Sequence, residues 1–165
     1  MKRLYVIFLV LVLAVAVAIP STFAADEMAK KLNTALIGLS KGNWQVKADE
    51  LNKWMQEKRT DFLVVDVRPD PKEYKEGHIP GAIYIPFNAI LKPENLKKLP
   101  KDKKIVLACD TGQAENLPIV SLRALGYNAY NLFYGYTSWI KGSLGSHLAN
   151  QVIQGAATKN YPIAK

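Results

Sequence analysis

The sequence predicts an α/β fold, a small parallel β-sheet flanked by helices on both faces, and three observations carry that expectation. Short apolar runs recur along the chain: "DFLVVDV" at residues 61–67, "GAIYIP" at 81–86, "KIVLAC" at 104–109 and "AYNLF" at 129–133. The first is apolar on consecutive positions, as a strand covered on both faces requires. Segments with helical spacing alternate with these runs, the pattern of a parallel sheet whose strands are joined by helical crossovers. Finally, 165 residues at 49% hydrophobic suit one domain with one core, and the chain has no internal repeat and no low-complexity linker.

Part of the hydrophobic fraction sits at the start. Lys2 and Arg3 precede an apolar run over residues 4–19, then a Pro-Ser break, then small residues Thr22 and Ala24 three and one places before Ala25. That is the pattern of an export signal over residues 1–24 with cleavage before Ala25. The run has 16 residues, short of the roughly 20 a spanning helix needs, so removal is favoured over a permanent anchor. A periplasmic or secreted location follows, with membrane attachment only if the signal is kept.

The net charge of +8 includes Lys2 and Arg3, which leaves +6 on the mature chain. The lysines of "KPENLKKLPKDKK" are scattered with little aromatic interleaving, which argues against nucleic acid as a partner. Two histidines far apart and a single cysteine offer no metal site, and no cofactor is expected.

Within residues 25–43, "DEMAKKLNTALIGLS" places Met28, Leu32, Leu36 and Leu39 near helical spacing, with Gly42 ending the segment, and predicts an amphipathic helix on the outside of the domain. Asp49 is expected to cap a second helix whose apolar positions are Leu51, Trp54 and Met55. The first two strands follow, then "FNAILKPENLKKLPKD" as a broken helix and loop, the third strand, a helix over "NLPIVSLRALGY" and the fourth strand. In the C-terminal extension 143–165, Leu148, Val152 and Ile153 either mark a helical face packing back on the domain or belong to a mobile basic tail.

Chemistry centres on Cys109, the only cysteine. Export favours paired cysteines, and this one has no partner in the chain, so it is either buried and inert or a used thiol. It stands at the carboxyl end of the third strand and directly before a helix, where ligands of open α/β sheets bind and where free backbone N–H groups can cradle an anion.

The stretch "DVRPDPKEYKEGHIPGAIYIP", with Asp66, Arg68, Glu73, Tyr74, Gly77, His78, Ile79, Pro80, Gly81 and Ala82, resembles the signature of the rhodanese family of sulfurtransferases. "CDTGQAENLPIVSLRALGY" is similar to the family's active-site loop and following helix, and "YNLFYGYTSW" to its terminal segment, with Gly135 and Trp139 kept and Tyr134 replacing a glycine. The resemblance covers residues 44–142. It implies a rhodanese-like fold in which Cys109 takes a sulfane sulfur from a donor, holds it as a persulfide and passes it to a thiol acceptor, with Asp110, Thr111, Gly112, Gln113, Ala114 and Glu115 forming the cradle; separately, a monomer is expected. Asp66 and Arg68 are expected as a structural ion pair and His78 as a structural histidine, with Gly81 and Trp139 completing the signature.

The loop departs from the family pattern. Ala114 stands where thiosulfate-using members carry arginine, Glu115 stands where serine or threonine is common, and Asp110 adds a second carboxylate. Two negative groups raise the cost of a thiolate and repel a dianion by roughly a kcal/mol per charge, so a donor other than thiosulfate is expected. Glu115 either lies in the first helical turn, where the dipole accepts a carboxylate, or folds into the anion pocket and occupies it. The sixth residue after Cys109 is Glu115 and not the arginine of the phosphatases and arsenate reductases that share this fold. Two functional classes follow: an exported sulfurtransferase, favoured by the cysteine, and a catalytically weak binding or regulatory module, favoured by the acidic loop. A redox-sensing thiol would need a partner thiol from outside.

Overall fold

The computed structural model describes residues 21–42, 44–158 and 162; the apolar run at 4–19 lies outside the described residues. The sequence runs helix α1 (Ser21–Ser40), strand β1 (Gln45–Val46), α2 (Ala48–Gln56), β2 (Phe62–Asp66), α3 (Pro71–Glu76), β3 (Ile83–Tyr84), a 3₁₀ turn at Phe87–Ala89, α4 (Pro93–Leu96), β4 (Lys104–Ala108), α5 (Asn116–Ala124), β5 (Asn128–Leu132), α6 (Gly135–Trp139) and α7 (Leu144–Thr158). The strands form one five-stranded sheet in the order β1-β5-β4-β2-β3, and every pairing is parallel. The α/β class and the parallel sheet expected from the sequence are therefore present, with β1 as an additional edge strand.

Consecutive strand residues serve opposite faces of the sheet. Val65, Ile105, Leu107 and Ala129 pack with Ile119 and Leu122 of α5, whereas Val64, Val106, Ala108 and Leu132 pack with Leu51 and Trp54 of α2. Burial on both faces is why β2 and β4 read as unbroken apolar runs rather than alternating ones. Each fully buried Leu or Ile contributes about 1.5–3 kcal/mol of hydrophobic stabilisation, so this double layer holds the sheet ends in place.

Three local expectations are corrected. The residue before α2 is Lys47, with no side-chain cap, and Asp49 lies inside the first turn, where its charge meets the helix dipole instead of a free N–H. On α1 the packing face is Ala35 and Leu39, which sit against the sheet's α5 side, while Met28 and Leu36 are exposed. A stripe of period near 3.6 was legible there, but small Ala35 allows the close approach that larger Leu36 does not need to make. The C-terminal segment is helical as α7, yet Val152 and Ile153 are 71% and 66% exposed, and Leu148 is exposed too. Its contact runs instead through buried Gly145, whose backbone lies against the Asp110 carbonyl and the Thr137 hydroxyl, where a Cβ would clash. Among the described residues no helix is long and apolar enough to cross a membrane.

Candidate active site

Strand β4 is central in the sheet, and Cys109 is the first residue beyond its carboxyl end. The chain then turns through Asp110, Thr111, Gly112, Gln113 and Ala114 to Glu115, and α5 begins at Asn116. Two glycines let this loop pack against the turn between β5 and α6. Gly112 has φ +80° and faces the backbone of Tyr134, where a Cβ would come within 2.8 Å of the Tyr134 Cα. Gly135 has φ +51° and presses on the Cys109 carbonyl. The Tyr136 N–H donates to that carbonyl at 2.8 Å, and Thr137 donates to the Asp110 carbonyl through its N–H at 3.0 Å and its hydroxyl at 2.9 Å. The loop is thus clamped at its start from the far side. Tyr134, in place of the family's glycine, adopts the left-handed conformation at φ 63°, at a steric cost of about 1–2 kcal/mol.

Of the six loop residues, Gln113 is exposed, Asp110, Thr111, Gly112 and Ala114 are half-buried, and Glu115 is 0% exposed. Ala114 packs against the core. The Asn116 side-chain amide donates to the Gly112 carbonyl at 2.5 Å, and Asn131 of β5 supports Asn116 at 3.2 Å. Glu115 turns inward: its Oε2 accepts the Cys109 N–H at 2.5 Å, while its Oε1 is buried with no hydrogen-bond partner. Of the two placements open to Glu115, the structure has the inward one. The carboxyl sits inside the loop and not on the outer first turn of α5.

Cys109 is 3% exposed and unpaired. Burial, and then the Glu115 carboxylate, push its thiol up to about 11, although the backbone N–H groups of Glu115 and Thr111 pull the other way. Burial likewise holds Glu115 well above the ordinary carboxylate range, opposed by its bond from Cys109 and reinforced by Asp110 and Asp66. Burial raises Asp110 as well, against the pull of Arg68. The N–H groups of Thr111 and Glu115 thus serve the thiol, the Glu115 carboxyl takes the N–H of Cys109, and among the described residues no cation is set against the thiol.

At the carboxyl end of neighbouring β2 lies the ion pair expected of Asp66 and Arg68. Both are buried, with Nη2 to Oδ2 at 2.6 Å, and the Arg68 guanidinium also donates to the Gly77 carbonyl at 2.7 Å. Sequence reasoning missed the third member, Tyr136. Its hydroxyl donates to Asp66 Oδ2 at 3.0 Å and accepts the Ile79 N–H at 2.9 Å, and its ring lies 4.0 Å beneath the guanidinium. His78 is exposed, stacked on Tyr74 at 3.9 Å with Nδ1 2.9 Å from the Tyr74 carbonyl. Gly81 takes φ +76° in the turn before β3, and Trp139 packs against the core beside α2. Asp66, Arg68, His78 and Gly81 therefore frame the site without reaching the thiol.

Beside the loop a cleft of about 570 Å³ is lined by Arg68, Glu73, Glu76, His78, Asp110 and Trp139, among others. Glu73 is also raised by burial and then by Asp110, and one of its oxygens is buried without a partner. With Arg68 committed to Asp66, the free charge of this cleft is negative.

The description "Rhodanese-like domain" matches residues 47–141. The Mycobacterium tuberculosis protein named probable adenylyltransferase/sulfurtransferase MoeZ is 37% identical over 93 residues, which are 56% of this chain but 23% of that protein. The Allochromatium vinosum protein named sulfurtransferase is 33% identical over 85 residues, 51% of this chain and 77% of that one. Among solved structures, the rhodanese-like domain protein of Staphylococcus aureus superposes with a TM-score of 0.53 at 30% identity, covering 61% of this chain and 96% of its own. With the match spanning strands β2 to β5, the Cys109 loop and the Asp66–Arg68–Tyr136 cluster, the chain belongs to the rhodanese-like domain family.

Proposed function

We propose that the protein is a sulfurtransferase in which Cys109 carries sulfane sulfur as a persulfide, and that its donor is uncharged, cationic or protein-bound rather than thiosulfate. Relatives named as sulfurtransferases support the reaction class. One observation carries the choice of donor: the Glu115 carboxyl is wholly buried inside the loop, bonded to the Cys109 N–H beside the thiol, where its charge opposes an anionic donor. The acidic cleft at Glu73, Glu76 and Asp110 supports the same preference. In the reaction the Cys109 thiolate attacks the sulfane sulfur, the donor's S–S bond breaks, and the persulfide then meets an acceptor thiol, so sulfane-sulfur donor and thiol acceptor are the partners. The export pattern of residues 1–24 extends the proposal to a periplasmic or secreted protein.

A second reading, a rhodanese-like binding or regulatory module, is favoured by the thiol's rise to about 11 without a compensating cation. Intact mass separates the two. The reduced protein, incubated with a small organic persulfide, should gain one sulfur atom, about 32 Da, that is absent from Cys109→Ser. A thiol that remains open to alkylation but takes no sulfur from any donor puts the binding module in its place.

A further inference from the structure

We infer that Glu115 is the proton acceptor for the Cys109 thiol and the proton donor to the departing sulfur, so that the two side chains act as one buried acid–base pair. The inference rests on the sulfurtransferase reading for its substrate but on separate geometry for its chemistry. A buried polar atom without a partner costs about 1–3 kcal/mol, and Glu115 carries such an atom on a carboxyl that is wholly buried and bonded to the backbone of the cysteine itself. Glu115 is wholly buried, spends Oε2 on the Cys109 N–H and leaves Oε1 with nothing to accept from. Its neighbour in that pocket is the thiol, and each group acts on the other's proton affinity.

Other charged groups face the pair without replacing Glu115 in that role. Asp110 follows Cys109 and opens onto the cleft, its carbonyl held by Thr137. Asp66 approaches from β2, but it accepts from Arg68 and Tyr136, which engage both its oxygens. No lysine, arginine or histidine touches the Cys109–Glu115 pair among the described contacts. Among the described residues the thiol thus has only the backbone N–H groups of Thr111 and Glu115 to favour its thiolate and no side-chain cation, and a general base within the pocket is a further route.

The proton and electron count closes with an organic persulfide as donor. Glu115 carboxylate takes the proton of Cys109 S–H. The thiolate attacks the terminal sulfur of R–S–SH, a Cys109 S–S bond forms, and the donor's S–S bond breaks with its electron pair on R–S⁻. That thiolate takes the proton back from Glu115 and leaves as R–SH. The products are Cys109–S–SH, a free thiol and the original carboxylate, with no external oxidant or reductant. A donor that reacts in its uncharged R–S–SH form and needs a proton on departure suits this pair, whereas thiosulfate brings two negative charges to a loop that already holds a carboxyl.

The test measures the rate at which methyl methanethiosulfonate, a small uncharged thiol reagent, modifies Cys109 as pH is raised, beside the ultraviolet absorbance of the thiolate read against Cys109→Ser. The wild-type protein should show two rises, one as Glu115 loses its proton and a second near the thiol's own ionisation. Glu115→Gln should lose the first rise and react about tenfold or more slowly at neutral pH, because the base is gone. Its remaining rise should move to lower pH, because the carboxylate's repulsion is gone too. Glu115→Ala should recover part of the neutral-pH rate when acetate or formate is added, a result that a structural carboxyl would not produce. Identical profiles for wild type and Glu115→Gln, or no response to added carboxylate, would overturn the acid–base pair while leaving the sulfurtransferase reading intact. The two-step profile in a protein that accepts no sulfur from persulfide would instead overturn that reading and keep the pair.

Discussion

Two carboxyl groups lie buried at the carboxyl ends of adjacent strands, and they are treated in opposite ways. Asp66, at the end of β2, accepts from the Arg68 backbone and guanidinium and from the Tyr136 hydroxyl, and it joins β2, the Gly77–Ile79 turn and α6. Glu115, beyond the end of β4, accepts one bond and leaves an oxygen unpaired. A buried charge that is fully partnered fixes a structure; one left half-partnered in the same sheet edge is free to exchange a proton. The contrast separates scaffold from chemistry within one row of strand ends.

The largest expected effect comes from breaking the partnered side. Arg68→Ala leaves Asp66 buried without its cation and should lower unfolding stability by about 3–5 kcal/mol in urea titration. A loss below 1 kcal/mol would mean that Asp66 is held by Tyr136 alone and that the two regions differ less than their geometry implies.

Removing the unpartnered carboxyl should act in the other direction. The proton of Glu115 is held more tightly in the folded chain than in the unfolded one. The folded state therefore binds more protons across the window from the ordinary carboxylate value up to the raised one. In that window ∂ΔG/∂pH is negative, so the stability that the protonated group provides is complete below about pH 4 and lost as pH rises, by about 1.4 kcal/mol for each pH unit spanned. Glu115→Gln should flatten this loss, so that melting temperatures of variant and wild type are closest near pH 4 and diverge in the variant's favour toward pH 8. Parallel curves would show Glu115 to be as well compensated as Asp66.

A smaller effect should follow from Tyr136→Phe, which removes one donor to Asp66 and orphans the Ile79 N–H but keeps the ring under Arg68. A loss of about 1 kcal/mol is expected in the same urea titration, and it should not alter the pH profile of Cys109 modification, because Tyr136 serves the other carboxyl.

How much of this was legible in the residue string depends on distance along the chain. Strands β2 to β5 showed as apolar runs, most plainly β2 and β4, whose two faces are both covered, and Cys109 before a helix start marked the loop. β1 did not show, since Gln45–Val46 is a strand only through its pairing with Asn131 and Leu132. Tyr136 meets Asp66 across 70 positions and Ile79 across 57, and no local pattern reports such contacts. Glu115 was visible as the wrong charge in the loop, but its direction was not. An outward first-turn placement and an inward one use the same sequence, and only the clamp of Gly135 and Tyr136 on the Cys109 carbonyl fixes the pocket into which the side chain turns.

On the proposed function the buried Glu115 carboxyl turns Cys109 away from an anionic donor, which is tested by the initial rate of sulfur loading on the same protein from thiosulfate and from a small organic persulfide, each read by intact mass. Loading from the persulfide should be at least about tenfold faster than from thiosulfate, with the gap narrowed in Glu115→Gln as the repulsion of the dianion falls. Thiosulfate loading as fast as persulfide loading in the wild-type protein, unchanged by Glu115→Gln, would contradict it.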